Sequence, residues 1–347
     1  MGPEGELFEQ TKNQKYKVIT VNKLIRPICP LSDTISYFQI KKILKAIQPD
    51  IVHTHSAKAG ILGRLAAHSL RLRPKIVHTI HGLAFHPYQS QALNKFYIGI
   101  EKAAAKKTDF FISVADAMTE QALAAGIGKS EQFCTAYSAI DEEDFLKPIA
   151  EERKKEFRKK YGIAEDAIVL VTAARLFMLK GHEYIIESAK QLSRQFDNAV
   201  WLFVGDGNLS ETFKNQVRQL GLADRIKFTG LLPPSQIPLA IGSSDILVHC
   251  SLREGLARTL PQAMLCGKPA ITFNVDGAKE VVNENTGRLI EPKNVEQLIA
   301  ACAELIANEE LRNKLGTQGR ESVKERFAPD TMVDTIEAIY KKLLEKK

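Results

Sequence analysis

The stretch Ser251–Gly267 carries the residues whose types and spacing point most directly to chemistry. Glu254 and Gly255 come just before an apolar helical pattern, and the N-terminus of a helix presents free N–H groups and a positive dipole to anions. A carboxylate repels a bare phosphate, so we expect Glu254 to bind sugar hydroxyls beside it, with Thr259 donating to phosphate. Gln262 follows Glu254 by about two helical turns, which predicts one shared helix face. The alternative is that Glu254 only stabilises the helix dipole.

Two cations and a glycine pair follow the ends of predicted strands. Arg175 closes an apolar strand and Lys180 stands in the loop before the next helix, where Gly181 favours a tight turn. Two cations at such an end can clamp a diphosphate, although two unrelated surface cations would show the same pattern. The segment Gly205–Gly207 permits a close backbone approach, but it is not a complete G-x-G-x-x-G and by itself predicts a turn.

Histidines cluster in the first half of the chain. His53 and His55 lie two apart on a predicted strand and therefore share a face. Zinc binding is the less favoured interpretation, because no cysteine or carboxylate stands at ligand spacing. His81 closes its strand and is the better candidate to meet a substrate. Lys58 and Gly60 precede a helical pattern and form another candidate anion site.

Metal-dependent binding of a nucleotide sugar needs paired carboxylates, and no D-x-D occurs in this sequence. We therefore expect no metal and no other cofactor. Cationic side chains and helix dipoles would then neutralise the negative charge of the nucleotide diphosphate, which is the group that leaves when a sugar is transferred.

Short apolar runs alternate with amphipathic stretches, the pattern of βαβ units and parallel sheets. The predicted strands are Tyr16–Val21, Ile51–His55, Lys75–Ile80, Phe110–Val114, Phe133–Tyr137, Ile168–Ala174, Val200–Val204, Ile226–Thr229, Ile246–His249 and Ala270–Phe273. The predicted helices are Ile61–Leu72, Ala117–Ala125, Tyr184–Phe196, Leu209–Leu220, Val295–Ala307, Glu309–Arg326 and Thr331–Leu344. A polar loop and a charged helix interrupt the alternation, which places a domain boundary near Pro148. The predicted domains are 1–147 and 148–328, followed by a last helix, 329–347.

The composition restricts the class of protein. A chain of 347 residues with 44% hydrophobic residues is expected to form two domains with cores of their own. A net charge of +7 favours anionic partners. Nucleic acid is disfavoured, because the basic residues are spread out without interleaved aromatic residues. The five cysteines are scattered, and no signal peptide or membrane-length apolar run is evident. A cytoplasmic protein that contacts the inner membrane face is expected.

Five motifs occur in order in the second half: A-R-L-x(3)-K-G, V-G-D-G, F-T-G, S-x-R-E-G-L with A-M-x-x-G-K-P, and V-D-G-A-K-E-V-V. In this order they resemble the retaining nucleotide-sugar glycosyltransferases of family four, which have the GT-B fold. H-T-H-S-x-K-A-G and H-T-I-H-G in the first half match more loosely. The resemblance implies an α/β protein with two Rossmann-like domains whose parallel sheets face each other across a cleft, and a last helix, 329–347, that packs back on the first domain.

The resemblance also implies roles for individual residues. Catalytic roles fall to Glu254 at the donor sugar, to Arg175 and Lys180 at the diphosphate, and to His81 near the reacting carbon. The residues implied in donor binding are Gly205, Asp206, Gly207, Leu231, Gly255, Leu256, Ala257, Thr259 and Gln262. His55, Lys58 and Gly60 would lie on the acceptor side. The implied reaction is transfer with retention from a nucleotide diphosphate sugar, most simply a UDP-sugar, to a lipid-linked or cell-surface glycan.

Two departures from the family pattern stand out. Gln262 occupies the position of a second glutamate, so a hydroxyl acceptor remains there but its charge is lost. The chain opens at G-P-E-G-E-L-F-E, from which we expect the first domain to lack its first strand, glycine-rich loop and helix. Two alternatives stay open: a protein that binds nucleotide without turnover, and a GT-B nucleotide-sugar epimerase.

Overall fold

The computed structural model describes Gly2 and residues 16–345. The chain divides into two compact units, the first comprising Met1–Ala136 with Thr335–Lys347 and the second Tyr137–Asp334. The boundary between the two units, after Ala136, thus lies before the boundary that we predict near Pro148. The reason is packing: the Ile140 amide donates to the Phe327 carbonyl oxygen at 3.0 Å, which joins this segment to the second unit. A proline and charged residues in the sequence indicate a loop, but the contacts in the folded chain decide to which unit that loop belongs.

The first unit is built on a four-stranded parallel sheet in the order β1-β2-β3-β4. Its strands are β1 (Ile51–His55), β2 (Lys75–Ile80), β3 (Phe110–Ser113) and β4 (Phe133–Thr135). Its helices are α1 (Pro30–Ile47), α2 (Ala57–His68), α3 (Gln91–Ala105) and α4 (Asp116–Ala124). Ile76, Val77 and Phe111 are fully buried at its centre. The predicted strands from Ile51 to Tyr137 are confirmed, with ends that differ by at most two residues.

The predicted strand Tyr16–Val21 is wrong, because these residues lie outside the strands of the two sheets in the described part of the chain. Val21 is buried, and its carbonyl accepts from the Leu24 amide in a turn. An apolar run predicts burial, but a strand also needs a neighbour with free N–H and C=O groups. The predicted absence of a first strand, glycine-rich loop and helix stays a prediction, and the opening residues G-P-E-G-E-L-F-E lie mostly outside the described residues.

The second unit is built on a six-stranded parallel sheet in the order β10-β9-β8-β5-β6-β7. Its strands are β5 (Ile168–Ala173), β6 (Ala199–Val204), β7 (Ile226–Gly230), β8 (Ile246–His249), β9 (Ala270–Phe273) and β10 (Gly287–Ile290). Its helices are α5 (Glu142–Leu146), α6 (Glu151–Lys160), α7 (His182–Leu192), α8 (Ser210–Gln219), α9 (Ile237–Gly242), α10 (Thr259–Leu265), α11 (Val295–Ala307) and α12 (Glu309–Lys324). The last helix, α13 (Pro329–Glu345), crosses the division between the units.

Local sequence explains where several of these helices begin. The Asn294 side chain accepts from the Gln297 amide at the start of α11, and Asn308 accepts from Leu311 at the start of α12. The strand β10 was not predicted, because only four residues of the loop-rich stretch around it form the ladder with β9. Trp201, Phe203 and Leu170 are fully buried in the core of the sheet.

The five cysteines are free, with Cys250 buried and Cys266 half-buried. The charged helix α6 is mainly solvent-exposed, and it is anchored by buried Phe157 and by an Arg158–Asp245 ion pair of 3.1 Å. Within the residues that the structure describes, no helix has the length and apolar character needed to cross a membrane.

Candidate active site

The predicted donor-site residues gather at one edge of the six-stranded sheet. Strand β5 lies between β6 and β8, so the loops that follow these three strands are neighbours. Arg175 and Lys180 stand in the loop after β5, Asp206 in the loop after β6, and Glu254 in the loop after β8. Ligands of open parallel sheets bind at this carboxyl edge. The sheet order therefore brings together three motifs that are far apart in the sequence.

The loop after β6 is held tightly against the loop after β5. A Cβ atom on Gly205, whose φ is +138°, would lie 2.2 Å from the Ala174 carbonyl oxygen, and one on Gly207 would lie 2.4 Å from that of Leu176. The Leu176 amide donates to the Asp206 carbonyl oxygen at 3.0 Å. These two glycines therefore allow the loop after β6 to pack closely against the loop after β5.

Lys180 and Glu254 form an ion pair, Nζ to Oε1, across the two loops. Each side chain is 21% exposed, so the pair is largely shielded but still reached by solvent. His249, the last residue of β8, is 5% exposed and places Nε2 3.4 Å from the same oxygen. Two nitrogen groups thus face one carboxylate oxygen.

The environment keeps Glu254 ionised. Burial alone would raise the pKa of its carboxyl group, but His249 and Lys180 outweigh burial and lower that pKa to about 2. A carboxylate that stays charged and partly accessible accepts hydrogen bonds from hydroxyl groups and stabilises nearby positive charge.

Backbone contacts fix the loop that carries Glu254. The Glu254 amide donates to Asp276 Oδ2 at 2.7 Å, and the Gly277 amide donates to the Gly255 carbonyl oxygen at 3.2 Å. On the other side Gly181, with φ of +77°, lies so close to the next loop that a Cβ atom would be 1.9 Å from the Cys250 carbonyl oxygen. The loop is therefore held from both flanks.

Helix α10 begins later than the sequence pattern suggests. It starts at Thr259 with Arg258 as its N-cap, so Glu254 lies in the preceding loop. The expectation that Glu254 and Gln262 share a helix face is therefore wrong, because only Gln262 is on the helix. Residues 256 and 257 are buried, whereas Gln262 is half-buried and Thr259 Oγ1 lies 3.5 Å from His249 Nδ1. The segment from Gly255 to Arg258 packs as a loop, which hydrophobic periodicity cannot distinguish from a first turn.

Three residues of the predicted donor site are exposed at this edge. Arg175 places its guanidinium carbon 4.9 Å from the centre of the Phe177 ring and remains solvent-exposed. Leu231, just after β7, is 74% exposed. Asp206 is also exposed, and its pKa is lowered by hydrogen bonds from the Gly207 amide and the Ser210 side chain.

The histidines of the first unit meet at the carboxyl ends of β1 and β2. His55 Nδ1 lies 3.0 Å from His81 Nε2, and the rings of His53 and His55 are 4.4 Å apart, as expected for one strand face. His53 also forms two hydrogen bonds: its Nδ1 lies 2.5 Å from the Tyr340 hydroxyl of α13, and its Nε2 lies 2.6 Å from Thr79 Oγ1. Burial lowers the pKa of His53, assisted by its histidine neighbours, to about 4, and burial lowers the pKa of His55 and of His81. These imidazoles are neutral hydrogen-bonding groups at pH 7.

Lys58 and Gly60 have structural partners in the same unit. The Lys58 ammonium group donates to the carbonyl oxygens of Ile25 and Pro27 and pairs with the Asp33 carboxylate. Gly60 is buried in α2, where a Cβ atom would lie 2.4 Å from His78 Cε1. The N–H groups of Lys58 therefore all contact other groups of the protein. Gly60 has no side chain, which leaves space for the buried ring of His78.

Sequence reasoning missed His249 and Asp276 as site residues. His249 had a usable signal, since it is a polar residue at the carboxyl end of a strand predicted to be buried. Asp276 had no such signal, because it contacts the Glu254 amide, 22 residues earlier in the chain, only in the folded structure. Among the residues that the structure describes, no group of three histidine, cysteine or acidic side chains is arranged to hold a metal ion.

Comparison with known proteins gives two family matches and several relatives. The family described as "Glycosyltransferase Family 4" matches residues 2–144, and the family "Glycosyl transferases group 1" matches residues 153–322. The chain is 30% identical over 332 residues to the UDP-Gal:alpha-D-GlcNAc-diphosphoundecaprenol alpha-1,3-galactosyltransferase of Escherichia coli, covering 94% of this chain and 84% of the relative. It is 28% identical to the N-acetyl-alpha-D-glucosaminyl L-malate synthase of Bacillus anthracis, with the same coverage of 94% and 84%. The crystal structure of Anabaena Alr3699/HepE in complex with UDP-glucose is similar in fold, with a TM-score of 0.79 at 21% identity over 94% of this chain and 85% of that one.

Proposed function

This chain belongs to the family-four glycosyltransferases of GT-B fold, and we propose that it moves a sugar from a UDP-sugar to a lipid-linked or cell-surface glycan. Glycosyl transfer from a nucleotide-sugar donor is the activity of the family. The choice of UDP and of a lipid-linked acceptor is supported by the E. coli relative, whose name contains UDP-galactose and a diphosphoundecaprenol acceptor. A hexose or an N-acetylhexosamine is proposed as the transferred sugar.

One observation carries the proposal: Lys180, Glu254 and His249 meet at the carboxyl edge of the second sheet. The Lys180 ammonium group has three N–H donors, so it can hold Glu254 and also donate to a diphosphate oxygen. Glu254, ionised at neutral pH, can accept from a sugar hydroxyl beside that diphosphate. The arrangement therefore suits a ligand that is anionic at one end and rich in hydroxyls at the other.

We propose a retaining reaction in which the acceptor attacks from the face that the diphosphate leaves. Negative charge develops on the leaving diphosphate, and Lys180 with exposed Arg175 would stabilise it electrostatically. A leaving oxygen would take the acceptor proton, while Glu254 positions the sugar and stabilises positive charge at its reacting carbon. No metal ion is assigned a step, because these two cations can supply the neutralising charge.

We further propose that His81, supported by His55, contacts the substrate from the first unit. The neutral imidazoles at the carboxyl ends of β1 and β2 can exchange hydrogen bonds with sugar hydroxyls. The net charge of +7 would favour contact with an anionic membrane surface at the cytoplasmic face.

A thermal-shift and hydrolysis panel of UDP-, GDP- and ADP-sugars tests the donor proposal. We expect UDP-sugars to raise the melting temperature and to be hydrolysed slowly, and we expect Lys180→Ala to abolish both effects. Lys190→Ala, a change of an exposed lysine on α7, serves as the matched control and should behave as the wild type. If no nucleotide sugar shifts the melting temperature, or if Lys180→Ala responds like the control, the proposed donor site is wrong.

A further inference from the structure

The second unit contains a small cavity at the edge of its sheet opposite to the one that carries Glu254. Gly242 lines this cavity four residues before β8 begins, and Lys268 lines it two residues before β9 begins. It therefore lies at the amino ends of these strands, whereas Glu254 follows the carboxyl end of β8. The cavity volume is about 180 Å³. Because sites for larger ligands occupy about 300–1,000 Å³, this cavity suits a small chemical group.

Cationic side chains from three different elements line the cavity. Lys154 belongs to α6, Lys268 to the loop after α10, and Arg320 to α12. Lys147 is a fourth cation, although 65% of its side chain is exposed. Burial raises the pKa of the Cys266 thiol to about 12, so this lining residue is uncharged. None of the lining residues in the described part of the chain is acidic, and the cavity therefore favours an anion.

Two of these cations, Lys268 and Arg320, have no carboxylate partner among the described residues. Lys154 differs from them, since its ammonium group pairs with the exposed Glu151 carboxylate at 2.6 Å. Arg320 Nε donates to the Leu265 carbonyl oxygen at 2.9 Å, which leaves the two terminal NH₂ groups of its guanidinium for a ligand. The half-buried Lys268 ammonium group has neither a hydrogen bond nor an ion pair within the described part of the chain.

The surroundings of Lys268 disfavour its positive charge. Burial lowers the pKa of its ammonium group, and Lys154 and Arg158 lower that pKa further, against the opposing effect of Asp245. The Asp245 carboxylate is engaged elsewhere, because its Oδ2 accepts from Arg158 at 3.1 Å. A shielded charge without a partner costs free energy. An anion beside Lys268 would therefore offset both its burial and the repulsion from its cationic neighbours.

We propose that this cavity binds a phosphate monoester group, held by the guanidinium of Arg320 and the ammonium groups of Lys268 and Lys154. A phosphate monoester carries about two negative charges at pH 7, which matches the two cations that have no carboxylate partner. The planar fork of arginine donates two parallel N–H bonds to phosphate oxygens, and the lysines add charge from other elements. The phosphate belongs either to a small soluble molecule or to a lipid headgroup. The site is separate from the donor site, and the argument for it does not depend on the transfer reaction.

Titration calorimetry of the full chain with glycerol phosphate, in a buffer free of phosphate, tests this site. We expect the wild type to bind, and we expect Lys268→Gln and Arg320→Gln each to bind about tenfold more weakly, the effect of losing one charge-assisted hydrogen bond. Lys314→Gln, a change of an exposed lysine on α12, is the matched control and should bind as the wild type. Binding should persist in Lys180→Ala and in the presence of UDP, since both act on the donor site.

Urea unfolding distinguishes a binding role of Lys268 from a structural role. Without ligand, Lys268→Gln should be at least as stable as the wild type, because the change removes a shielded charge that has no partner. With glycerol phosphate, the wild type should gain stability and Lys268→Gln should gain less, since the ligand stabilises only the protein that binds it. A Lys268→Gln protein that is less stable without ligand and gains as much from glycerol phosphate as the wild type would contradict the proposal.

Flotation with phosphatidylcholine vesicles, with and without phosphatidic acid, identifies the source of the phosphate. Binding that needs phosphatidic acid and is lost in Lys268→Gln would identify a lipid headgroup, whereas binding of glycerol phosphate without vesicle binding would identify a soluble ligand. The proposal is wrong if neither probe binds, or if Lys268→Gln and Lys314→Gln behave alike in both assays. The cations would then serve only to stabilise the C-terminus of α10, where Arg320 contacts Leu265. Loss of glycerol phosphate binding in Lys180→Ala would place that ligand in the donor site instead.

Discussion

Replacing Glu254 by glutamine is expected to destabilise the second unit in a pH-dependent manner. The substitution keeps the size and one acceptor oxygen of the side chain but removes its charge. Lys180 and His249 would then face a neutral amide in a largely shielded site. The carboxylate therefore contributes to stability through the same contacts that lower its pKa.

The magnitude follows from that pKa. Contacts with His249 and Lys180 lower the pKa from 4.5 to about 2 against the opposing effect of burial, and one pKa unit corresponds to about 1.4 kcal/mol. The charged form thus adds about 3 kcal/mol to the free energy of unfolding at pH 7. Because the folded pKa is the lower one, this contribution is complete above the unfolded value of 4.5 and is lost as the pH falls toward 2. At pH 3.5 the loss should be about 1.4 kcal/mol.

Urea unfolding of the wild type and Glu254→Gln at pH 7, 5 and 3.5 measures this contribution. We expect the wild type to be more stable by about 3 kcal/mol at pH 7 and 5 and the difference to shrink at pH 3.5. Glu187→Gln, a change of an exposed carboxylate on α7, is the matched control and should stay within about 0.5 kcal/mol of the wild type at pH 7.

The reasoning is refuted if the two proteins differ by less than 1 kcal/mol at pH 7, or if their difference is the same at pH 3.5. The first result would mean that the ion pair only offsets the desolvation of its members, as happens for many buried pairs. The second would mean that the difference comes from packing rather than from charge.

Three further substitutions test the packing that supports the two units, each by urea unfolding. Gly181→Ala should cost more than about 2 kcal/mol, since its Cβ atom would meet the Cys250 carbonyl oxygen at 1.9 Å, and a cost near zero would disprove this close approach. Gly99→Ala in α3, where a Cβ atom meets nothing within 4 Å, should raise stability by about 0.5–1 kcal/mol; a loss would point to a hidden clash. Arg64→Met should cost about 3–5 kcal/mol by leaving the Glu101 carboxylate buried without its partner, and adding Glu101→Leu should restore most of that loss.

Much of the architecture could be predicted from residue patterns. Lys75–Ile80 and Ile246–His249 form strands with the predicted bounds, because buried parallel strands are rich in apolar residues, and the partly buried Ile51–His55 also keeps its predicted bounds. The pattern failed at Tyr16–Val21, where the run is apolar but belongs to neither of the two described sheets. It also failed at α10, where buried loop residues imitate the start of a helix.

The candidate site was predictable only in part, because a local sequence pattern does not show which residues come into contact in the fold. Arg175, Lys180 and Glu254 can be chosen from the sequence because charged residues and glycines at strand ends are unusual in a buried sheet. His249 was not chosen, because a single histidine at the end of a strand is equally compatible with a core position. Its importance rests on one distance, 3.4 Å to the Glu254 carboxylate, and a local pattern contains no such distance.

The sequence by itself determined which segments become strands and helices and which loops carry charge, because burial and periodicity are local properties of the chain. The tertiary structure decided which of those loops meet. Lys180 and Glu254 are 74 residues apart in the chain, and they pair only because β8 inserts beside β5 in the sheet. His249 and Lys180 together give Glu254 its low pKa, so the chemistry of the carboxylate depends on the sheet order as well as on the motif around it.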